Sequence, residues 1–187
     1  MKETVVKIFN DYLSLYPLEK DKLELFSSFL VNHQDEELTD WNNFDGHIVA
    51  SGFIYSKQDK KFLLLFHKDF NMFVYPGGHV DSDDESILEA AKREIKEESG
   101  LDELTYLPVS DNLLVPFDIA IHKVGYNERL NLPEHYHFDF RYIFSLDNLS
   151  DVHVDGDEMS DYKWVDLDYF RTNHHYGNVA DKLAKYL

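Results

Sequence analysis

The chain contains no cysteine. That single absence removes disulfides, thiolate zinc sites and cysteine nucleophiles together, and it suits a reducing compartment, so a cytoplasmic location is the expectation. Long apolar runs are missing too. The longest clear one is Phe62-Leu63-Leu64-Leu65-Phe66, against the roughly 20 residues that a membrane-spanning helix needs. The opening Met1-Lys2-Glu3-Thr4-Val5-Val6-Lys7 alternates charge and lacks the apolar centre of a secretory signal. No membrane partner is expected. Positive charge is scarce: 18 Lys and Arg stand against 36 Asp and Glu, a net charge of -18. Such a surface repels phosphate backbones, which argues against nucleic acid as a partner. An acidic protein that handles anionic small molecules needs metal ions to mediate.

What is present is enough for a folded domain. In 187 residues, 43% are hydrophobic and 15% aromatic, a composition that buries a core and argues against wholesale disorder. Val5, Ile8, Phe9, Tyr12, Leu13 and Tyr16 recur at helical spacing up to Pro17, and Leu23, Phe26, Phe29 and Leu30 form a second stripe. Residues 1–40 therefore read as a helical extension, too small to stand alone, that packs on the main domain or on a second copy of the chain. A homodimer through these helices is one expectation.

From about Phe44 the pattern changes, and residues 44–187 read as one α/β domain. His47–Tyr55 and Lys61–Phe66 have strand character, with Ser56–Lys60 a turn between them. Phe73-Val74-Tyr75 leads into Pro76-Gly77-Gly78, expected to be a loop. Glu85 to Ser99 is helical, with Gly100 placed to stop it. Further strands are expected near Leu113–Lys123, Tyr136–Leu146 and Tyr162–Val165, and a closing helix near Asn178–Leu187. Strands on both sides of a central helix point to an α/β sandwich rather than a bundle.

On a helical wheel, Leu88, Ala91 and Ile95 share one face, with Ile87 at its edge, and Glu89, Lys92, Arg93 and Lys96 fall on the far side, toward solvent. Glu94, Glu97 and Glu98 border the apolar face at i, i+3 and i+4. Like charges at that spacing destabilise a helix by a few tenths of a kcal/mol per pair. Three of them beside a core make sense where a hard divalent cation, which takes oxygen ligands, sits among them. The alternative is a solvated acidic face neutralised by Lys92, Lys96 and Arg93. Gly77-Gly78 just before the helix lets backbone approach a ligand closely.

The segment Gly78 to Leu101 resembles the Nudix box, G-x5-E-x7-R-E-U-x-E-E-x-G-U with U aliphatic. Every specified position from Glu85 to Leu101 matches, and the one departure is six residues instead of five between Gly78 and Glu85. The resemblance implies a Nudix-like α/β/α sandwich with a mixed central sheet. It further implies metal-dependent hydrolysis of a diphosphate linkage in a nucleoside diphosphate derivative, by water attack at phosphorus. Glu94, Glu97 and Glu98 would hold Mg²⁺ or Mn²⁺, with the Gly78 carbonyl as an extra ligand. The cations would neutralise the diphosphate and lower the pKa of a bound water. Arg93 would anchor the helix to its loop by pairing with a carboxylate, Glu85 being the candidate. Members often add an acidic residue from a later loop; Asp155, Asp157 and Glu158 are available, and Glu158, shortly before a Trp-containing strand, fits best. Pro116, fifteen residues beyond Leu101, resembles a marker of ADP-ribose-cleaving members. A catalytically silent binding or regulatory module on the same scaffold is the alternative; the intact glutamate set argues against it.

Alternation supplies a last expectation. In Tyr136–Tyr142 the aromatic residues face one way and His137, Asp139 and Arg141 the other, toward solvent or a substrate cavity. Asp118 and His122 share one face of the preceding strand, and His79 lies in the loop entering the helix. His79, His122, His137 and Asp139 are therefore candidates to meet the phosphate end of a substrate. A His/Asp cluster of this kind could also take a transition metal.

Overall fold

The computed structural model describes residues 1–126, 131–173, 176 and 179–187. Its first element, α1 (Lys2–Leu15), buries Val5, Ile8, Phe9 and Tyr12, the stripe that the spacing predicts, and ends before Pro17. After two short 3₁₀ turns, α2 (Glu24–Asn32) buries Phe26, Phe29 and Leu30. Both helices pack on their own chain. Phe26 lies 4.9 Å from Phe138 and 5.6 Å from Phe140, and Phe29 lies 4.6 Å from Phe138, measured between ring centroids.

The strands are β1 (His47–Ser56), β2 (Lys61–His67), β3 (Met72–Val74), β4 (Gly77–His79), β5 (Thr105–Tyr106), β6 (Asp118–Val124), β7 (His135–Leu146) and β8 (Met159–Val165). Among the described residues these eight form one mixed sheet. Its spine is the parallel pair β1 and β7, in register from His47↔His137 to Ser56↔Leu146. Around it, β4 and β2 run antiparallel to the two halves of β1, β6 and β5 antiparallel to the two halves of β7, and β3 and β8 flank β2.

Each sheet face carries a core, which completes the α/β/α sandwich. On one face, α3 (Ile87–Ser99) and the N-terminal helices cover Ile48, Ala50, Ile54, Phe138, Phe140, Tyr142 and Phe144. On the other, α4 (Leu167–Thr172) and α5 (Val179–Leu183) cover Phe53, Phe62, Leu64, Phe117 and Ile143. No helix among the described residues is long and apolar enough to cross a membrane.

Three expectations about elements need correction. Pro76-Gly77-Gly78 is not all loop: Gly77–His79 pair with β1 through Ser51↔Gly77, Ala50↔Gly78 and Val49↔His79. Glycine has little strand preference of its own, but β1 supplies the ladder. The strand expected from Leu113 begins only at Asp118, because Pro116 has no N–H to give to a ladder. The closing helix is shorter than expected; α5 ends at Leu183, and its expected start, Asn178, lies outside the described residues.

Candidate active site

Ser86 caps α3, its Oγ accepting from the Glu89 amide at 3.2 Å, and Gly100, at φ 72°, ends it in the left-handed conformation. The helix lies so close to β1 that a Cβ on Gly52 would stand 2.5 Å from Ile95 Cδ1. This contact sets the height of the glutamate row over β4. A Cβ on Gly78 would lie 2.6 Å from Glu94 Oε2, so the bare glycine leaves the room that the carboxylate occupies. One residue earlier, the Gly77 amide donates to Glu98 Oε2 at 2.8 Å. Glu97 stands at the mouth, with its side chain 56% exposed.

The three glutamates therefore differ in environment. Glu98 is buried, 6% exposed, and burial pushes its carboxyl up to about 8, helped by the negative charges of Glu94, Glu158 and Asp155 and opposed by the Gly77 amide. Burial likewise raises Glu94 to about 7, against the pull of Arg93. Without a cation, both carboxylates hold protons near neutral pH that ordinary carboxyls have lost. The carboxylate oxygens of Glu94 and Glu98, beside Gly77 and Gly78, are donors of the kind a hard divalent ion takes, and Arg93 is the cation that reaches the row.

Arg93 is the hinge pin of this corner. Its Nε and Nη2 grip Asp84 in a fork at 3.0 and 2.8 Å, Nη2 also donates to the His79 carbonyl at 2.8 Å, and Nη1 reaches Glu94 at 2.9 Å and Glu97 at 3.0 Å. The anchoring carboxylate is Asp84 and not Glu85, which is exposed. Asp84 is folded back by its bond from the Asp81 amide at 2.8 Å, which holds it under the guanidinium. Arg93 is consequently half-buried rather than out in solvent. A cavity of about 530 Å³ follows the opposite flank of α3, past Glu89, Lys92 and Lys96, and none of the three glutamates lines it.

Glu158 immediately precedes β8. The loop leading to it is fastened to the end of α3 by His153 N to Ser99 O at 2.9 Å and Asp155 N to Glu98 O at 3.2 Å. Its negative charge acts on both Glu98 and His79, and its carboxylate stands 4.0 Å from His67 Nε2.

The polar side of β7 is not open to solvent. Asp139 and Arg141 are 3% and 5% exposed. Asp139 accepts from Ser51 Oγ at 2.6 Å, Tyr75 OH at 2.9 Å and Arg141 Nε at 3.2 Å, and His122 Nε2, 3.3 Å from it, accepts from Arg141 Nη2 at 2.8 Å. The Arg141 guanidinium and these donors hold its carboxyl well below the usual range. Arg141 also donates to Asp118 at 2.9 Å. Asp118 in turn accepts from Lys182 Nζ at 2.8 Å, and that ammonium donates to Glu19 at 3.0 Å and to Tyr12 OH at 2.6 Å. The four residues expected to meet substrate thus fall into two adjoining groups. His122 and Asp139 belong to this ionic network, whereas His79 and His137 contact each other, ring centroids 5.7 Å apart, and both contact His47. Burial and neighbouring imidazoles keep His47 near 4 and His137 near 2, so both are neutral at pH 7.

Reading the sequence alone misses Ser51, Tyr75, His47, His135, Asp84 and Lys182. The signal for His47 is only that it stands opposite His137 once β1 and β7 are known to pair, a non-local fact. Asp84 had a local signal, the irregular spacing before Glu85.

The chain is similar to known proteins in sequence and in fold. The NUDIX domain family model matches residues 46–184. A protein of Lactococcus lactis subsp. cremoris (strain MG1363) named "Probable DHNTP pyrophosphohydrolase" is 32% identical over 118 residues, which cover 63% of this chain and 65% of that protein. The match thus spans less than two thirds of that relative. A NUDIX-family hydrolase from Clostridium perfringens superposes with a TM-score of 0.57 at 25% identity, over 73% of this chain and 97% of its own. The E. coli dihydroneopterin triphosphate pyrophosphohydrolase gives a TM-score of 0.57 at 17% identity, over 75% of this chain and 96% of its own, a likeness of fold alone.

Proposed function

The chain belongs to the Nudix family, and from that premise we propose that it is a divalent-metal-dependent pyrophosphohydrolase. Its substrate would be a small nucleotide-like molecule in which a diphosphate links a nucleoside to another group. The observation that carries this reading is the pair of carboxylates beside two glycines: Glu94, half-buried and paired only with Arg93, and Glu98, buried with a backbone amide as its hydrogen-bond partner in place of a cation. A fold does not need such a pair. Keeping two carboxylates out of water is destabilising unless a cation joins them.

Glu94, Glu97 and Glu98, with the Gly78 carbonyl and Glu158, would hold Mg²⁺ or Mn²⁺. When bound, the cation supplies charge neutralisation of the diphosphate and Lewis acidity at phosphorus. The remaining work falls to the protein. Arg93 is a positioning residue that ties Asp84, the His79 carbonyl and two of the glutamates into one rigid corner. A carboxylate of the set accepts the proton of the attacking water, and the bond from phosphorus to the bridging oxygen breaks. His79, His122 and His137 keep partial exposure and would face the phosphates; Asp139, all but enclosed, holds Arg141 from below, and Arg141 donates to His122. A cytoplasmic site of action belongs to the same proposal, as does the division into a helical extension (1–40) and a catalytic domain (44–187). Pairing of two copies through exposed Leu18 and Val31 is a further proposal, which light scattering tests.

The test is a panel of substrates assayed with Mg²⁺ for phosphate or mononucleotide release, with dihydroneopterin triphosphate, dinucleoside polyphosphates and ADP-ribose among them. Glu97→Gln and Glu98→Gln are expected to lower kcat by orders of magnitude in folded protein. Near-normal turnover in both would refute the assignment.

A further inference from the structure

We propose that His47, His79 and His137 form a second metal site, separate from the glutamate set and selective for a borderline first-row cation of the Zn²⁺ class. One ring nitrogen from each of the three lies within 4.8 Å of the other two. A tetrahedral ion with Zn–N bonds of about 2.0–2.1 Å wants its donor nitrogens about 3.4 Å apart. Small rotations of the rings, two of which are only half-buried, bridge that difference.

Three features distinguish the cluster from stacked core imidazoles. First, it is built on paired backbone. His47 stands opposite His137 in the parallel β1–β7 register, and His79 is held two residues along by Val49↔His79, so three strands present the rings without relying on a loop. Second, His47 is fully buried, and its Nε2 is, among the described residues, the one buried side-chain nitrogen or oxygen with no hydrogen-bond partner. Its Nδ1 faces the Asn43 carbonyl at 3.4 Å, so that nitrogen carries the proton and Nε2 carries a bare lone pair. A buried acceptor left unpaired is destabilising, and a metal ion satisfies it. Third, a supporting imidazole is already in place: His135 Nδ1 donates to the Pro133 carbonyl at 2.8 Å, and its Nε2 lies 3.0 Å from His137 Nε2. That arrangement fixes both tautomers: His135 Nε2 accepts from His137 Nε2–H, which leaves His137 Nδ1 as its nitrogen for an ion, His135 as its support and the fourth position to water.

An all-nitrogen set suits Zn²⁺, Co²⁺, Ni²⁺ or Cu²⁺, while Mg²⁺ and Mn²⁺ prefer the carboxylates. The two sites would therefore sort cations by ligand type. Entry is open on the side of His79 and His137, where Trp41 stands 5.7 Å from the His79 ring.

The experiment uses the full chain stripped with chelator, then dialysed against Zn²⁺ in a large excess of Mg²⁺ and titrated in parallel with Co²⁺ to read its visible d–d bands. The expected result is one equivalent of tightly held Zn²⁺ and a four-coordinate Co²⁺ spectrum. His79→Gln and His137→Gln should each weaken binding by about 100-fold or more, more than loss of a supporting residue does. Glu94→Gln with Glu98→Gln should leave it intact. Circular dichroism in chelator checks that each variant folds, and His79, at the rim, is the substitution least exposed to failure on that count. Absence of stoichiometric Zn²⁺ under these conditions overturns the proposal. So does Zn²⁺ binding that survives the histidine changes and disappears with the glutamate changes.

Discussion

Replacing Glu98 by Gln should make the metal-free protein more stable at pH 8, although it removes a residue of the proposed catalytic set. Glu98 sits 6% exposed with its carboxyl raised to about 8, whereas an unfolded chain releases the same proton near 4.5. Between those values the native state binds more protons than the unfolded one, so stability falls as pH rises through the window. The contribution of the neutral carboxyl is whole below about 4.5 and gone above about 8. At about 1.4 kcal/mol for each tenfold difference in proton affinity, the loss has an upper bound of about 5 kcal/mol; with relaxation and water entry we expect roughly 2–3 kcal/mol. Glutamine is never charged, and its carbonyl can still accept from the Gly77 amide. The assay is urea unfolding in chelator at half-unit steps from pH 5 to pH 8.5, on wild type and Glu98→Gln. Wild-type stability should decline across that range and the variant's much less, with the curves crossing. Adding Mg²⁺ at pH 8 should restore wild type and do little for the variant. Parallel profiles, or a variant less stable than wild type at pH 8, would refute the electrostatic reasoning.

Other changes have equally definite outcomes. Gly78→Ala pushes a methyl group to within 2.6 Å of the Glu94 carboxylate, so kcat should fall at least tenfold with a loss of stability near 1 kcal/mol, read by steady-state kinetics beside thermal unfolding. Gly52→Ala drives a methyl into Ile95 and Phe144 and should destabilise by about 1–3 kcal/mol, visible as a lower urea midpoint. Arg141→Met leaves Asp118 and Asp139 buried without their shared cation; a loss of about 3–5 kcal/mol is expected. Arg93→Lys cannot make the fork to Asp84, and the apparent Mg²⁺ requirement, followed by activity against Mg²⁺ concentration, should rise severalfold.

The parts of this molecule that were readable in sequence are those written locally. Periodicity placed α1, α2 and α3 because each buries one stripe, and the Glu94–Glu97–Glu98 row follows from helical pitch alone. The strict alternation of β7 predicted its apolar face correctly and left its polar face open between water and a cavity. That face is filled by a network whose members come from residues 12, 19, 51, 75, 118, 122, 139, 141 and 182, and no window of sequence contains them. Pro116 cut short a strand that hydrophobicity alone would have extended. The imidazole cluster was half visible: His79 and His137 could be named, but His47 looked like the first residue of an ordinary strand until the parallel pairing set it opposite His137.

The ammonium of Lys182 closes a circuit between ends of the chain that lie far apart in order: Glu19 is 163 positions away and Asp118 is 64. Contacts of such range form late, because loop entropy must be spent before they return anything. Until that clasp shuts, Asp118 has only Arg141 and Glu19 only Lys22 as counter-charge, so a state with α5 undocked forgoes one ion pair at each. Cleavage between α4 and α5 would then be felt at α1, whose Tyr12 meets Lys182 directly. The fold is fastened like a belt, by its last hole.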